Sequence, residues 1–253
     1  MKPAACEFPL ALIGLLQTCE FIVVLTGAGV SAESGVPTFR DAQTGFWSQF
    51  DPQELATPQA FQRNPDLVWN WYEWRRELIS RAKPNAGHYA LVEMERRFPD
   101  FILITQNVDS LHQQAGSGKS AELIELHGNI WRNKCFIENA ILTKWDETGE
   151  AAPRCPRCGG FVRPDVVWFN ESLPQVELTR AWQAAQKSQV FFSIGTSGLV
   201  QPAASLPYIA QQHGAVVVEI NPDTTPLSRD ASYVLRGFAG KILPALIEAV
   251  WGA

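Results

Sequence analysis

An α/β fold, with a parallel sheet flanked by helices and a smaller inserted domain, is predicted by two recurring patterns and their interruption. Five short runs are almost wholly apolar: FIVVLT (21–26), FILITQ (101–106), LIEL (123–126), VFFSIG (190–195) and VVVEIN (216–221). Strands buried on both faces read as unbroken apolar runs rather than as an alternation. Helical patterns lie between or after them at 85–98, 176–188, 203–213 and 239–251. Strands alternating with helices are joined by crossovers into a parallel sheet. The pattern is interrupted twice. Residues 41–84 hold helix and loop with no strand candidate, and residues 131–163 hold cysteines among Gly and Pro. The expected division is a sheet domain built from 1–40, 86–130 and 164–253. The small domain comprises a helical module (41–85) and a cysteine-containing module (131–163), with ligands in the crevice between the two domains.

Composition narrows the function classes. With 253 residues, 46% hydrophobic and 19% charged, the chain suits one large domain or a domain with a module attached. The net charge of −5 and the lack of a long basic run argue against a nucleic-acid partner. No apolar run approaches the roughly 18–20 residues of a membrane span, so no membrane association is expected. The opening MKPAACEFPLALIGLLQTCE loosely resembles an export signal, but Glu7 interrupts it. Leu10, Ile13, Leu16 and Gln17 then follow a helical period, which predicts a packed first helix rather than an export signal; the chain is expected to be cytoplasmic and monomeric. The cysteine count is odd, and two of the five form a Cys155-x-x-Cys158 pair. In such a chain that favours metal binding over a disulfide framework.

The first strand runs into TGAGVSAESGVPTFR (26–40). Gly27 and Gly29 permit close backbone approach, and the N–H groups that follow can face an anion, as in a Rossmann-like phosphate turn. Ala32 replaces the third glycine of the usual dinucleotide fingerprint. No strand-ending acid follows about 20 residues later, which disfavours an ordinary dehydrogenase. A tight strand-to-helix turn with no ligand accounts for this segment equally well.

A second feature lies in WNWYEWRREL (69–78). At helical spacing Val68, Trp71, Tyr72, Arg75, Leu78 and Ile79 share one face, while Arg76 turns away with Glu73 and Ser80. A guanidinium on the inward stripe either snorkels out along its stem or meets something anionic.

Six segments occur in a fixed order: GAGVSAESGVPTFR, TQNVDSLHQQAG (105–116), ELHGN (125–129), CPRCGG (155–160), VRPDVVWFNE (162–171) and GTSGLVQPAA (195–204). Together they closely resemble the sirtuins, NAD-dependent protein lysine deacylases, from about residue 20 to the C-terminus. The resemblance implies that Gly27, Ala28, Gly29 and Ser31 hold the NAD pyrophosphate, and that Phe39 and Arg40 cover the nicotinamide ribose. Gln106, Asn107 and Asp109 would surround the nicotinamide end. Gly195, Thr196 and Ser197 would meet phosphate and ribose, and Asn221, Asp223 and Ala239 would lie at the adenosine side.

His127 is the implied catalytic base, with Asn107 as its companion at the bond that breaks. A neutral histidine suits proton removal from a ribose hydroxyl near pH 7. In the family's chemistry the acyl oxygen attacks the ribose C1′ as nicotinamide leaves. The 2′-oxygen then attacks the acyl carbon, and water releases lysine and 2′-O-acyl-ADP-ribose. Partners would be acylated-lysine proteins or peptides, paired as an added strand along Val166, Val167, Phe169 and Glu171. His88, His112 and His213 read as structural. A mono-ADP-ribosyltransferase or NAD glycohydrolase would use the same pocket, and a non-enzymatic NAD-sensing module is the remaining alternative.

One sirtuin subclass carries Tyr-x-x-Arg in its acyl pocket and removes succinyl or malonyl groups. Tyr72 and Arg75 match that pattern, which would give the inward guanidinium a carboxylate partner. Sirtuins also carry two Cys-x-x-Cys pairs around a structural zinc in a zinc-ribbon-like module. Here Cys135, Cys155 and Cys158 are in place, and Glu138 stands where the fourth cysteine belongs. A carboxylate can ligate zinc, so three thiolates and Glu138 are the expected set, and a metal-free module or an oxidisable thiol remnant is the alternative.

Overall fold

A computed structural model describes residues 7–37, 48–145 and 152–252. Its centre is a six-stranded parallel sheet in the order β3-β2-β1-β7-β8-β9. The strands are β1 (Phe21–Thr26), β2 (Asp100–Thr105), β3 (Glu122–Glu125), β7 (Val190–Ile194), β8 (Val216–Asn221) and β9 (Tyr233–Arg236). Five of the six are the apolar runs expected from sequence. The sixth, β9, is a four-residue edge strand with one buried side chain, too short and too mixed to announce itself.

Helices cover both faces, as a sheet buried on both sides requires. One face carries α1 (Leu10–Thr18), α6 (Ala86–Arg97) and α10 (Ala239–Trp251), which bury Leu12, Leu16, Leu91, Met94, Leu243 and Leu246 against Ile22, Val24 and Phe192. The other carries α8 (Gln175–Lys187) and α9 (Leu206–Gln212), packed on Val23, Leu25, Phe191 and Val217. The expected first helix is α1. Among the described residues, no helix is long and apolar enough to cross a membrane.

The short α2 (Gly29–Ala32) follows β1, and α7 (Leu111–Ala115) follows β2. The helical module consists of α3 (Pro52–Leu55), α4 (Pro58–Arg63) and α5 (Pro65–Ser80). Thr57 and Asn64 cap α4 and α5 through their side chains, and each helix opens on proline, whose missing N–H costs nothing at that position. The cysteine module hangs from an antiparallel sheet, β5-β4-β6, formed by β4 (Gly128–Cys135), β5 (Ile141–Leu142) and β6 (Val162–Val166). Both β4 and β6 run through the boundaries expected at 130/131 and 163/164. The β4–β6 ladder therefore joins the two parts, with a register shift between Asn129 and Asn133.

Arg76 does not sit on a solvated face. Its Nε donates to the Ile130 carbonyl (2.8 Å), one Nη to Asn133 Oδ1 (2.6 Å) and the other to Glu73 (2.5 Å). A helical wheel treats the outer flank of α5 as solvent, whereas β4 packs there and takes this arginine as a tie.

Glu95 in α6 is 4% exposed and accepts from the backbone N–H groups of Gly118, Ser120 and Ala121 and from the Ser120 hydroxyl. Glu95→Ala removes the acceptor of three backbone donors and is expected to lower the unfolding free energy by about 2–4 kcal/mol in a urea titration.

Candidate active site

The sheet order changes direction between β1 and β7, and α/β sheets open a ligand crevice at such a point, beyond the carboxyl ends of the strands. There the backbone is pinched. Gly27 N–H donates to the Ile194 carbonyl (3.0 Å) and Gly29 N–H to that of Gly195 (2.9 Å). A Cβ on Gly29 would come within 2.8 Å of Gly195 Cα and O, and Gly195, at φ +60°, would push its own Cβ to 2.5 Å from the Val30 nitrogen. Both glycines are therefore required by close approach. Ala28 and Gly29 remain partly open to the crevice.

Ser31 is buried behind this turn and joins two expected residues, Asn107 and Asp109, with His88. Asn107 Nδ2 donates to Ser31 Oγ (3.2 Å), and His88 Nε2 lies 3.4 Å from it. The Asn85 N–H caps His88 Nδ1 (3.3 Å), so the imidazole proton is on Nε2 and points at Ser31. With two donors arriving, Ser31 gives its own proton to the Asp109 carboxylate, which also accepts from the Leu111 N–H (2.9 Å). Burial pushes the Asp109 pKa up, and the bonds from Leu111 and Ser31 and the nearby Arg75 charge oppose that rise. Burial lowers His88 to about 4, so it is neutral at physiological pH. His88, read as structural from sequence, thus acts on a site residue. Its signal was the Asn85-x-x-His88 spacing of a capping box.

His127 follows β3. Its Nδ1 lies 3.0 Å from the Gln106 carbonyl oxygen, which can only accept, so Nδ1 carries the proton and Nε2 presents a lone pair. Burial depresses the His127 pKa, and the bond to Gln106 offsets part of that. Gly128 fixes the exit of the chain: at φ +77° a Cβ would meet Asp165 O at 2.1 Å.

Across the crevice, Asn221 Nδ2 donates to the Thr196 carbonyl (2.7 Å) and Asn221 Oδ1 accepts from the Asp223 N–H (3.2 Å). This ties the ends of β7 and β8 together beside Gly195 and Ser197. The Asp223 side chain is exposed. The Ala239 methyl group is buried in the apolar core, leaving its backbone at the head of α10 for any contact. Phe39 and Arg40 lie outside the described residues.

On the α5 side Tyr72 and Arg75 share the inward stripe. Tyr72 is 1% exposed, and its hydroxyl accepts from Trp168 Nε1 (2.8 Å). The Arg75 guanidinium carbon lies 5.1 Å from the Trp71 ring centroid, and its charge is felt by both Tyr72 and Asp109. Burial lowers the Arg75 pKa, opposed by those two groups. The stretch 166–171, expected to be extended throughout, leaves the strand after Val166 and turns at Asn170 (φ +69°). Within it Val167 N–H donates to the His127 carbonyl and Phe169 N–H to that of Ala56, both at 2.9 Å. Glu171 closes the turn, accepting from Arg163 (2.5 and 3.0 Å) and from the Trp168 N–H (2.8 Å). Trp168 and Arg163 were missed from sequence because their roles depend on partners far along the chain.

In the cysteine module, one ligand atom from each of Cys135, Glu138, Cys155 and Cys158 lies within 4.8 Å of every other. Tetrahedral zinc with Zn–S bonds of about 2.3 Å spaces its ligands by roughly 3.8 Å, so the set fits a structural zinc. The Glu138 carboxylate is also 2.7 Å from Arg157. Cys19 lies elsewhere, buried, with its thiol pushed up to about 11 by burial. Cys6 falls outside the described residues.

A parallel sheet with a glycine-pinched switch point, a buried polar cluster and a histidine with a free Nε2 lone pair is the layout of an α/β nucleotide-binding fold. The Sir2 family model matches residues 27–202. An NAD-dependent protein deacylase of Aquifex aeolicus is 54% identical over 211 residues, covering 83% of this chain and 87% of its own. Its counterpart in Methylococcus capsulatus is 48% identical over 252 residues, covering 96% and 98%. A solved Sir2 homologue–NAD complex superposes with a TM-score of 0.86 at 44% identity over 97% of this chain and 95% of its own. The chain belongs to the Sir2 family, the sirtuins.

If the four-ligand set holds zinc, a strong chelator lowers the midpoint of thermal unfolding, and Glu138→Cys slows zinc release to a chromogenic chelator by tenfold or more, because a thiolate replaces a carboxylate shared with Arg157.

Proposed function

We propose that this protein is an NAD-dependent protein lysine deacylase that transfers the acyl group to ADP-ribose and releases nicotinamide. The observation that carries the reading is His127, whose Nδ1 is committed to the Gln106 carbonyl while Nε2 is left as a base beside the Ser31–Asn107–Asp109 cluster. NAD supplies the ribose carbon that accepts the acyl oxygen, with nicotinamide as the leaving group. The Gly27–Gly29 turn and Gly195–Ser197 hold the phosphates, Ser31 supports them from behind through its bonds to Asn107 and His88, and Asn221 and Asp223 lie toward the adenosine. Asn107 and Asp109 orient the nicotinamide end, and His127 Nε2 takes a proton from a ribose hydroxyl. The acyl-lysine chain enters along Val166–Phe169 and meets Tyr72 and Arg75.

Those two side chains suit acyl groups that end in a carboxylate. Arg75 offers a planar fork of donors inside a low-dielectric pocket, where an opposite charge is worth most. We further propose that the chain acts as a cytoplasmic monomer on acylated proteins, with zinc in a structural role and the domain division set out above.

The reading is tested by incubating the protein with NAD and an acetyl-lysine peptide. Nicotinamide and free lysine peptide should appear in equal amounts, and His127→Ala should cost about a hundredfold or more in kcat with the fold retained. Nicotinamide release that ignores the peptide would make the protein an NAD glycohydrolase, and no release would make it a binding module. Because burial lowers the His127 pKa, the base form persists into more acidic solution. The acidic limb of kcat/KM should therefore fall below pH 6.5, with activity rising as pH increases through it. Arg75→Met should depress desuccinylation at least tenfold more than deacetylation, since only the succinyl group loses a charge partner. Equal losses on both peptides would assign Arg75 to structure alone.

A further inference from the structure

Trp168 is 2% exposed and held from several sides. The Arg163 guanidinium carbon stacks 3.2 Å from its ring centroid, and the Phe61 ring centroid lies at 5.2 Å. Its backbone N–H is bonded to Glu171, which is itself paired with Arg163. The indole is therefore fixed in orientation, and its Nε1–H donates to the Tyr72 hydroxyl oxygen at 2.8 Å.

An indole N–H can only donate, whereas a phenol both donates and accepts. A phenolic O–H prefers the ring plane, where it has two orientations. The indole hydrogen occupies one of those sides, so the Tyr72 proton takes the other. Among the described residues, the Tyr72 hydroxyl donates to no protein acceptor.

We infer that Trp168 is a positioning residue for acyl selectivity, which turns the Tyr72 hydroxyl into an obligate donor toward the acyl pocket. The inference rests on the acidic-acyl reading of Tyr72 and Arg75. Without the indole donor, the phenol could turn its proton toward position 168 and present a lone pair to an incoming carboxylate, which repels it. With the donor in place the proton is already aimed, so no reorientation is needed when the acyl group binds. An acetyl group has no distal carboxylate and gains nothing from this arrangement. The device therefore discriminates between acyl groups.

The test compares kcat/KM on succinyl and acetyl peptides of one sequence for the wild type, Tyr72→Phe, Trp168→Phe and the double variant. Trp168→Phe should lower the succinyl-to-acetyl ratio about five- to tenfold, mostly through KM, as expected for one misdirected hydrogen bond to a charged group. In the Tyr72→Phe background it should move the ratio no further. A ratio unchanged by Trp168→Phe but lowered by Tyr72→Phe overturns the role of Trp168 and leaves the acidic-acyl reading standing. A ratio unchanged by Tyr72→Phe itself overturns both. Equal loss on both peptides assigns Trp168 to packing alone. If Trp168→Phe does not fold, β-(3-benzothienyl)alanine at position 168 keeps the bicyclic ring, removes only the N–H and carries the same comparison.

Discussion

The architecture of the site depends on the backbone contact between the turn after β1 and the end of β7. Gly27 and Gly29 lie against Gly195 so closely that a methyl group on Gly29 has no room. This contact closes the sheet at its switch point and leaves the partly open Ala28 and Gly29 facing the crevice. It also places Ser31 in the first turn of α2, buried behind the crevice-facing backbone of Ala28 and Gly29. Ser31 can then meet Asn107 and Asp109, which arrive from the end of β2. Two adjacent parallel strands thus deliver their loops to one point, and the buried hydroxyl between them fixes their relative position.

The same economy of donors and acceptors runs through the rest of the site. Three side chains of the site have their free valence decided by their neighbours. The Gln106 carbonyl fixes the tautomer of His127, the Asn85 N–H fixes that of His88, and two inbound donors send the Ser31 proton to Asp109. Burial makes this effective, because an unsatisfied polar atom in a low-dielectric pocket costs far more than one in water. In the proposed mechanism His127 is made ready as a base by its bond to Gln106 and by desolvation.

Much of this was legible in the sequence, and the remainder has physical reasons for being hidden. Continuous apolar runs located five of the six parallel strands, because burial on both faces leaves little room for polar residues. The inward position of Arg75 followed from helical spacing alone. By contrast, β9 is a short edge strand, and the partners of Arg76 were hidden because periodicity cannot show which neighbour covers a flank. The strand through Val166 was extended too far, since the turn at Asn170 is closed by a Glu171–Arg163 pair that a linear reading does not reveal. The Ser31–His88 contact joins residues 57 apart in sequence, and the three cysteines with Glu138 were visible only because zinc ligands keep a short, regular spacing.

The most direct measurement is NAD binding by titration calorimetry to Gly29→Ala. Gly29 begins a helix with ordinary backbone angles, so alanine introduces no local strain of its own and acts only by pushing the Gly195 loop away. If the pinched contact builds the dinucleotide site, the variant folds with a lowered unfolding midpoint, as overpacking against backbone requires, and loses NAD affinity by about tenfold or more. Wild-type NAD affinity in a folded Gly29→Ala protein would contradict the account.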